Sequence, residues 1–227
     1  IGKFFKLTPL IFIIFLIWMI RPLYFGQMSG LFSEPSFQKE YGELKNVLID
    51  DKFFSRVFWI PTVAPLGYVS PDHPQLEASR LVQKRPFAIG TEGTYETFNF
   101  LREASFMGEI FDVAGIGYIA YPPLDSRRDD MHTDNVKYYQ TFSNQLSNLG
   151  WLTKAHESEV NLWKVNSHQD KFFLAGNVWW VIGSDDAYHE STKSAELKLS
   201  KNALIFAEEY AGLGKRLDEL PDAKIVV

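Results

Sequence analysis

Ile110-Phe111-Asp112-Val113-Ala114-Gly115-Ile116-Gly117-Tyr118-Ile119-Ala120 (IFDVAGIGYIA) passes from helical to strand character across a single glycine. Upstream, Phe98, Leu101, Met107, Ile110 and Phe111 recur at helical spacing and predict a helix over about 95–113. Downstream, Gly117–Tyr121 reads as a strand, closed by Pro122-Pro123. Gly115–Ala120 also matches G-x-G-x-x-A, but a dinucleotide site needs that pattern between a strand and a following helix, so that pyrophosphate meets a helix N-terminus. Here the helix comes first and two prolines follow the strand. The glycines read as a helix stop leading into a strand, within a mixed α/β fold.

Working outward, Phe37, Tyr41, Leu44 and Leu48 repeat at helical spacing after a Ser33-Glu34-Pro35 start signal. Arg56–Ile60 is a short β-like run stopped by Pro61. Pro61, Pro65, Pro71, Pro74 and Pro86 make the next stretch mostly loop, with a short helix at Leu76–Gln83. On the other side, Ser126–Asp134 is a charged loop. Tyr139, Phe142, Leu146 and Leu149 then line one face of a helix that ends at Gly150. Trp151–Ala155, Val160–Val165, Phe172–Ala175 and Val178–Ile182 read as strands. Residues 184–200 are polar and small, which predicts a linker. Ala203–Ala207, Gly214–Leu220 and Ala223–Val227 then read as strand, helix and strand, the start of a second β-α-β unit.

At the other end of the chain, Leu10–Ile20 within Leu7–Ile20 (LTPLIFIIFLIWMI) are all apolar, flanked by Lys3, Lys6 and Arg21. An amphipathic surface helix would show a polar stripe, and this one has none. Phe4, Phe5, Leu23, Tyr24 and Phe25 extend the apolar zone, Lys6 and Arg21 can snorkel, and Trp18 and Tyr24 sit where an interfacial belt belongs. A transmembrane helix is therefore expected, ahead of a signal segment, for which no small-residue cleavage site follows, and of a core helix. Lys3 and Lys6 place its N-terminal side in the cytoplasm, with Arg21 as counterweight. The expected organisation is a transmembrane helix and flank (1–31), an extracytoplasmic mixed α/β domain (32–183), a linker (184–200) and the start of a second α/β unit (201–227). Ile1 in place of Met, and an apolar run opening at the last residues, read as a segment of a longer multi-span protein. The expected localisation is the cell membrane with the soluble part outside, and the expected partner is the bilayer.

A net charge of −5 argues against nucleic acid as a partner, because no basic excess offsets phosphate. Zero cysteines excludes disulfides, thiolate metal sites and cysteine nucleophiles. No nucleophile elbow, H-E-x-x-H, phosphate loop or kinase set occurs, and the five histidines pair with no nucleophile. Asp129, Asp130, His132 and Asp134 have donor chemistry for a divalent cation but lack a recognised spacing. Arg127 and Arg128 beside them suggest internal charge pairing. Trp179, Trp180, Asp185 and Asp186 suit a hydroxyl-rich ligand if the indoles are exposed; if both tryptophans are core, the aspartates simply open the linker. No catalytic constellation or cofactor site emerges from the residues themselves.

Phe54-Ser55-Arg56-Val57-Phe58-Trp59-Ile60-Pro61, Ile110–Ala120, Tyr138-Tyr139 opening a helix into Leu149-Gly150-Trp151, and Val160-Asn161-Leu162-Trp163-Lys164-Val165 follow an apolar helix in that order. The set resembles the region after the last span in multi-pass membrane glycosyltransferases of the C class, including YfhO-type and arabinofuranosyltransferase-like members. The resemblance covers about Lys52–Asp186. It implies a polyprenyl-phosphate-linked sugar donor for the parent protein and transfer to an outward-facing cell-envelope glycan or lipid. It also implies a catalytic carboxylate in an early outward loop, which no residue of this sequence matches. The chain is then expected to serve as an accessory domain that binds a glycan or lipid-linked saccharide, with Trp179, Trp180, Asp185 and Asp186 as its contacts. The rival expectation is a non-catalytic, membrane-anchored envelope scaffold or sensor.

Overall fold

Side-chain alternation along the central strands sets the layers in the computed structural model of the chain. The structure describes residues 8–25, 38–60, 70–81, 83–87, 94–124, 131–156, 160–209 and 224–226. The chain divides into two units, Ile1–Gln38 and Lys39–Val227.

The first unit is the helix α1 (Thr8–Tyr24), in whose last turn Pro22 has no N–H to donate to the carbonyl one turn back. Every large apolar side chain from Leu10 to Ile20 is 41–63% exposed. Its 17 residues rise about 25 Å, against about 30 Å for a hydrocarbon core. Among the described residues, no helix is long and apolar enough to cross a membrane.

The second unit holds a five-stranded sheet in the order β2-β1-β3-β5-β4. Its strands are β1 (Arg56–Trp59), β2 (Gln75–Glu77), β3 (Ile116–Tyr121), β4 (Leu152–His156) and β5 (Asn161–Val165). β2, β1 and β3 run parallel, and β5 pairs antiparallel with both β3 and β4. Both faces of the central strands β1, β3 and β5 are covered, which is why these three read as nearly continuous apolar runs. Phe58, Ile60, Ile119, Tyr121, Trp163 and Val165 point to one face, where they pack with Leu101, Met107, Phe111, Phe142 and Leu146. Those partners come from α4 (Thr94–Glu103), α5 (Met107–Val113) and α6 (Thr133–Leu146). Val57, Trp59, Tyr118, Ala120 and Leu162 point the other way, beneath Leu44 and Leu48 of α2 (Gln38–Asp50).

The glycine reading of the opening stretch describes what forms. Gly115 ends α5 at φ +62, a left-handed backbone that costs other residues about 1–2 kcal/mol. Gly117 is an extra residue in β3: Arg56 pairs with Ile116 and Val57 with Tyr118, so one position is skipped. That bulge turns Ile116 and Ile119 to the same side, against a strict period of two. A Cβ at 117 would lie 2.4 Å from Cβ of Ser55, so only glycine lets the two strands approach.

Four expectations change. The helix expected over 95–113 is two, because a break at Ala104–Phe106 lets Leu101, Phe106 and Met107 all reach the core. The short helix expected over 76–83 is confined to α3 (Ala78–Leu81), because Leu76 and Glu77 are drawn into β2. Residues 172–175 form an exposed loop and no strand. Residues 184–200, expected as a linker, carry α7 (Asp186–Lys193) and bury Ser191, Leu197 and Leu199. Their polarity is that of an amphipathic crossover whose buried face is made of small residues.

That crossover joins β6 (Asn177–Val181) to β7 (Asn202–Phe206) in a three-stranded parallel sheet of order β7-β6-β8, where β8 is Lys224–Val226. The β-α-β start expected over 201–227 therefore builds on β6 as its central strand, and the helix expected at 214–220 lies outside the described residues.

Candidate functional site

In open parallel sheets, ligands collect at the carboxyl ends of the strands where the strand order reverses. In the β7-β6-β8 sheet, that point is the loop after β6, Ile182-Gly183-Ser184-Asp185, which leads into α7. Asp185 and Asp186, two of the four glycan candidates, lie there.

Arg85, from the turn before α4, reaches this end of the sheet. Its Nε donates to Asp185 Oδ1 at 2.5 Å, and its Nη1 lies 2.7 Å from Glu208 Oε1 and 3.0 Å from Glu209 Oε1. Its guanidinium lies 3.8 Å over the ring of Phe206, a cation–π contact. Burial works against the arginine's charge, but hydrogen bonds to Asp185 and Glu208 outweigh it and raise its pKa. Tyr188, packed between Phe106 and Phe206, is pushed up to about 12 by burial and then by the Asp185 charge, with Arg85 opposing. Asp186 is exposed, and its Oδ2 accepts a 2.6 Å bond from Ser184 Oγ.

The two tryptophans part. Trp180 is 3% exposed and belongs to the interior. Trp179 is half-buried, and its indole N–H donates to Asn202 Oδ1 at 3.0 Å. Asn202 also accepts from Asn177 at 3.0 Å and donates to the carbonyls of Glu196 and Lys198, each at 2.7 Å. Asn202 thus fixes the start of the sheet, opposite the end that carries the aspartates. The four candidates are therefore not gathered on one surface. Alternation along β6 separates the indoles, and the strand's length separates Trp179 from Asp186. Arg85, Glu208 and Glu209 complete the acidic end but have no local motif; only the strand-end rule applied to β7 points to the glutamates.

A second polar group sits where β1 and β3 begin. Ser55 Oγ lies 2.9 Å from His73 Nδ1, and His73 Nε2 lies 2.9 Å from the backbone oxygen of Asp51. A carbonyl only accepts, so Nε2 carries the hydrogen and Nδ1 accepts from the serine. This is the geometry of a serine activated by imidazole. Yet Ser55 is 0% and His73 2% exposed, and Gly117 is pressed against the serine. No substrate reaches it, and the pair acts as a structural bolt. Beside it, Asp51 accepts from Tyr118 Oη at 2.6 Å and lies 3.5 Å from Lys164 Nζ. Burial would raise the Asp51 pKa, but bonds from Tyr118, the Phe53 N–H and Lys164 hold it below its ordinary value.

Of the four cation candidates, His132 and Asp134 serve the start of α6: His132 caps the helix and its Nδ1 accepts from the Asp134 N–H at 3.4 Å. Asp129 and Asp130 lie outside the described residues. Among the described residues, no group of three or more histidine and acidic side chains is placed to hold a metal ion. No family model, curated protein or solved structure matches the chain at a significant level.

Proposed function

We propose that this chain is the lipid-tethered, extracytoplasmic accessory domain of a C-class membrane glycosyltransferase, holding a neutral saccharide chain near the bilayer. The observation that carries the tether is α1. Its apolar residues are exposed all round, and burying each would stabilise by about 1.5–3 kcal/mol. Such a helix calls for a non-aqueous surrounding. Supporting the glycosyltransferase reading, the three strands that carry the resembling motifs, β1, β3 and β5, lie side by side at the centre of one sheet.

The acidic end of the smaller sheet narrows the ligand. Arg85 meets three carboxylates, and the surplus negative charge suits sugar hydroxyls and repels phosphate. The polyprenyl-phosphate donor implied for the parent protein does not fit these residues, and no step of transfer is assigned to them.

Membrane association is tested by floating the chain with liposomes. The unaltered chain is expected to rise with the lipid, and Ile13→Lys with Ile17→Lys to remain below. Recovery of the unaltered chain as a monodisperse, lipid-free species would overturn the tether. Saccharide binding is tested by titrating neutral envelope polysaccharides against Asp186→Asn, whose exposed side chain can be changed without unfolding. Equal affinity in both proteins removes the acidic end as a glycan contact. The buried Trp180 and the Asp185–Arg85 pairing favour one second reading, a non-catalytic membrane-anchored scaffold or sensor, because they assign two of the four candidates to internal structure.

A further inference from the structure

We infer that Glu109 and Asp112 of α5 form a proton-operated latch on the β6–β7 crossover, closed in acid and loosened as pH rises. β5 ends at Val165 and β6 begins at Asn177, so one connection joins the larger sheet to the smaller. Noncovalent contacts must hold the two together, and α5 makes one of them. Glu109 and Asp112 stand at i and i+3, on the same side of the helix. Glu109 Oε2 accepts from the Leu199 N–H at 3.2 Å, across 90 positions of sequence. The turn it grips is braced from within. Asn202 donates to the carbonyls of Glu196 and Lys198, and the Lys201 N–H donates to the Lys198 carbonyl at 3.0 Å. Leu197 and Leu199 are buried. Lys198 and Leu199 therefore engage or release α5 as one piece.

Asp112 is the imperfect half of this contact. Its carbonyl is satisfied by the N–H groups of Gly115 and Gln169, at 3.0 and 2.9 Å. Its buried carboxyl oxygen Oδ1 has no partner among the described residues. The charges that reach it come from three segments: Glu109 on α5, His168 on the connection and Lys198 on the crossover. Arg56 of β1, near the end of the same helix, is bonded to the Ala114 carbonyl. Burial is the largest influence and favours the protonated carboxyl. Glu109 adds to that preference, and His168 and Lys198 oppose it without prevailing. Once ionised, the carboxylate has a bare oxygen and a like charge one turn away, and opening the latch hydrates it. The closed form thus keeps a proton that the open form has lost. Its advantage is fully present below the ordinary 3.8 and is lost as pH rises through the raised value.

Hydrogen exchange of the full chain in micelles reads the latch at the Leu199 amide, each rate being divided by that of an unstructured peptide at the same pH. Leu199 is expected to exchange faster than the amides of β3 and β5 and to ignore dilute urea, the signature of a local opening. Its protection should fall between about pH 4 and pH 7, by up to about tenfold per pH unit while the carboxyl ionises. Asp112→Asn should hold protection near its acid value throughout. Glu109→Gln, whose amide oxygen still accepts from Leu199, should shrink the fall, and His168→Gln should keep it. Exchange at the rate and urea dependence of the β3 and β5 amides would leave no separate latch and overturn the inference. Protection that ignores pH in the unaltered chain would do the same. So would a fall that survives Asp112→Asn, and its loss in His168→Gln would then assign the response to the imidazole.

Discussion

Replacing Gly117 by alanine probes the closest approach in the larger sheet. The added methyl would sit 2.4 Å from Ser55 Cβ and 3.1 Å from its Oγ, well inside van der Waals contact. Both carbons are fixed to paired strands, so β1 and β3 must separate locally. Forced overpacking of this kind costs about 3 kcal/mol. Ser55→Gly alone loses the hydroxyl that donates to His73 and leaves a buried acceptor bare, at about 2 kcal/mol. The double variant removes the clashing carbon as well, so its loss should fall short of the sum by at least about 1.5 kcal/mol. Ser55→Ala keeps its Cβ and should give no such relief. Urea unfolding of the micelle-held protein, followed by tryptophan fluorescence, supplies all the free energies. Additive losses for Ser55→Gly with Gly117→Ala, or equal relief from Ser55→Ala, would refute the bulge geometry as the reason for glycine.

Other outcomes follow from the charged groups. Arg85→Met should cost about 2 kcal/mol in the same assay, discounted for partial exposure of the carboxylates it leaves behind. High salt should shrink that loss; an unchanged loss would assign it to packing on Phe206. Asp51 has a folded pKa below its ordinary 3.8, so its stabilisation is complete above that value and fades as pH falls through the folded value. Tyr118→Phe should therefore flatten the stability profile below about pH 4. Asp112 is the opposite case: burial raises its pKa, with Glu109 adding to the rise and His168 and Lys198 opposing, and its buried Oδ1 has no partner among the described residues. The folded state holds that proton where the unfolded chain has lost it, so stability falls as pH rises from 3.8 through the raised value. Asp112→Asn should remove that fall and stabilise the protein at pH 7.

Three strands of the larger sheet were legible because β1, β3 and β5 are largely buried and read as apolar runs, whereas β2 was expected as the start of a helix. Arg56–Ile60, Gly117–Tyr121 and Val160–Val165 were all found within a residue or two of their limits. The smaller sheet was half legible. Val178–Ile182 and Ala203–Ala207 stood out as apolar runs. The helix between them did not, because its buried positions include Ala187 and Ser191, which carry no hydrophobic signal. The paired tryptophans misled for a related reason. Adjacent residues on a strand face opposite sides, so a Trp-Trp pair presents one ring at a time. Arg85 left no trace in sequence, since its partners lie 100 to 124 positions away and only the folded chain brings them together.

The layering also has a mechanical side. One face of the five-stranded sheet lies under several helices, whereas α2 covers the other with Leu44 and Leu48 as its buried grips. α2 is the helix that covers that face, and its grip on the sheet rests on contacts one turn apart. Two leucines one turn apart release one after the other when pulled from an end, whereas strand pairs sheared along their length resist together. The exposed product of that first release would be Trp59, whose indole N–H has no partner among the described residues to lose. The sheet is therefore thinly roofed on the face that buries Trp59 and deeply packed on the other.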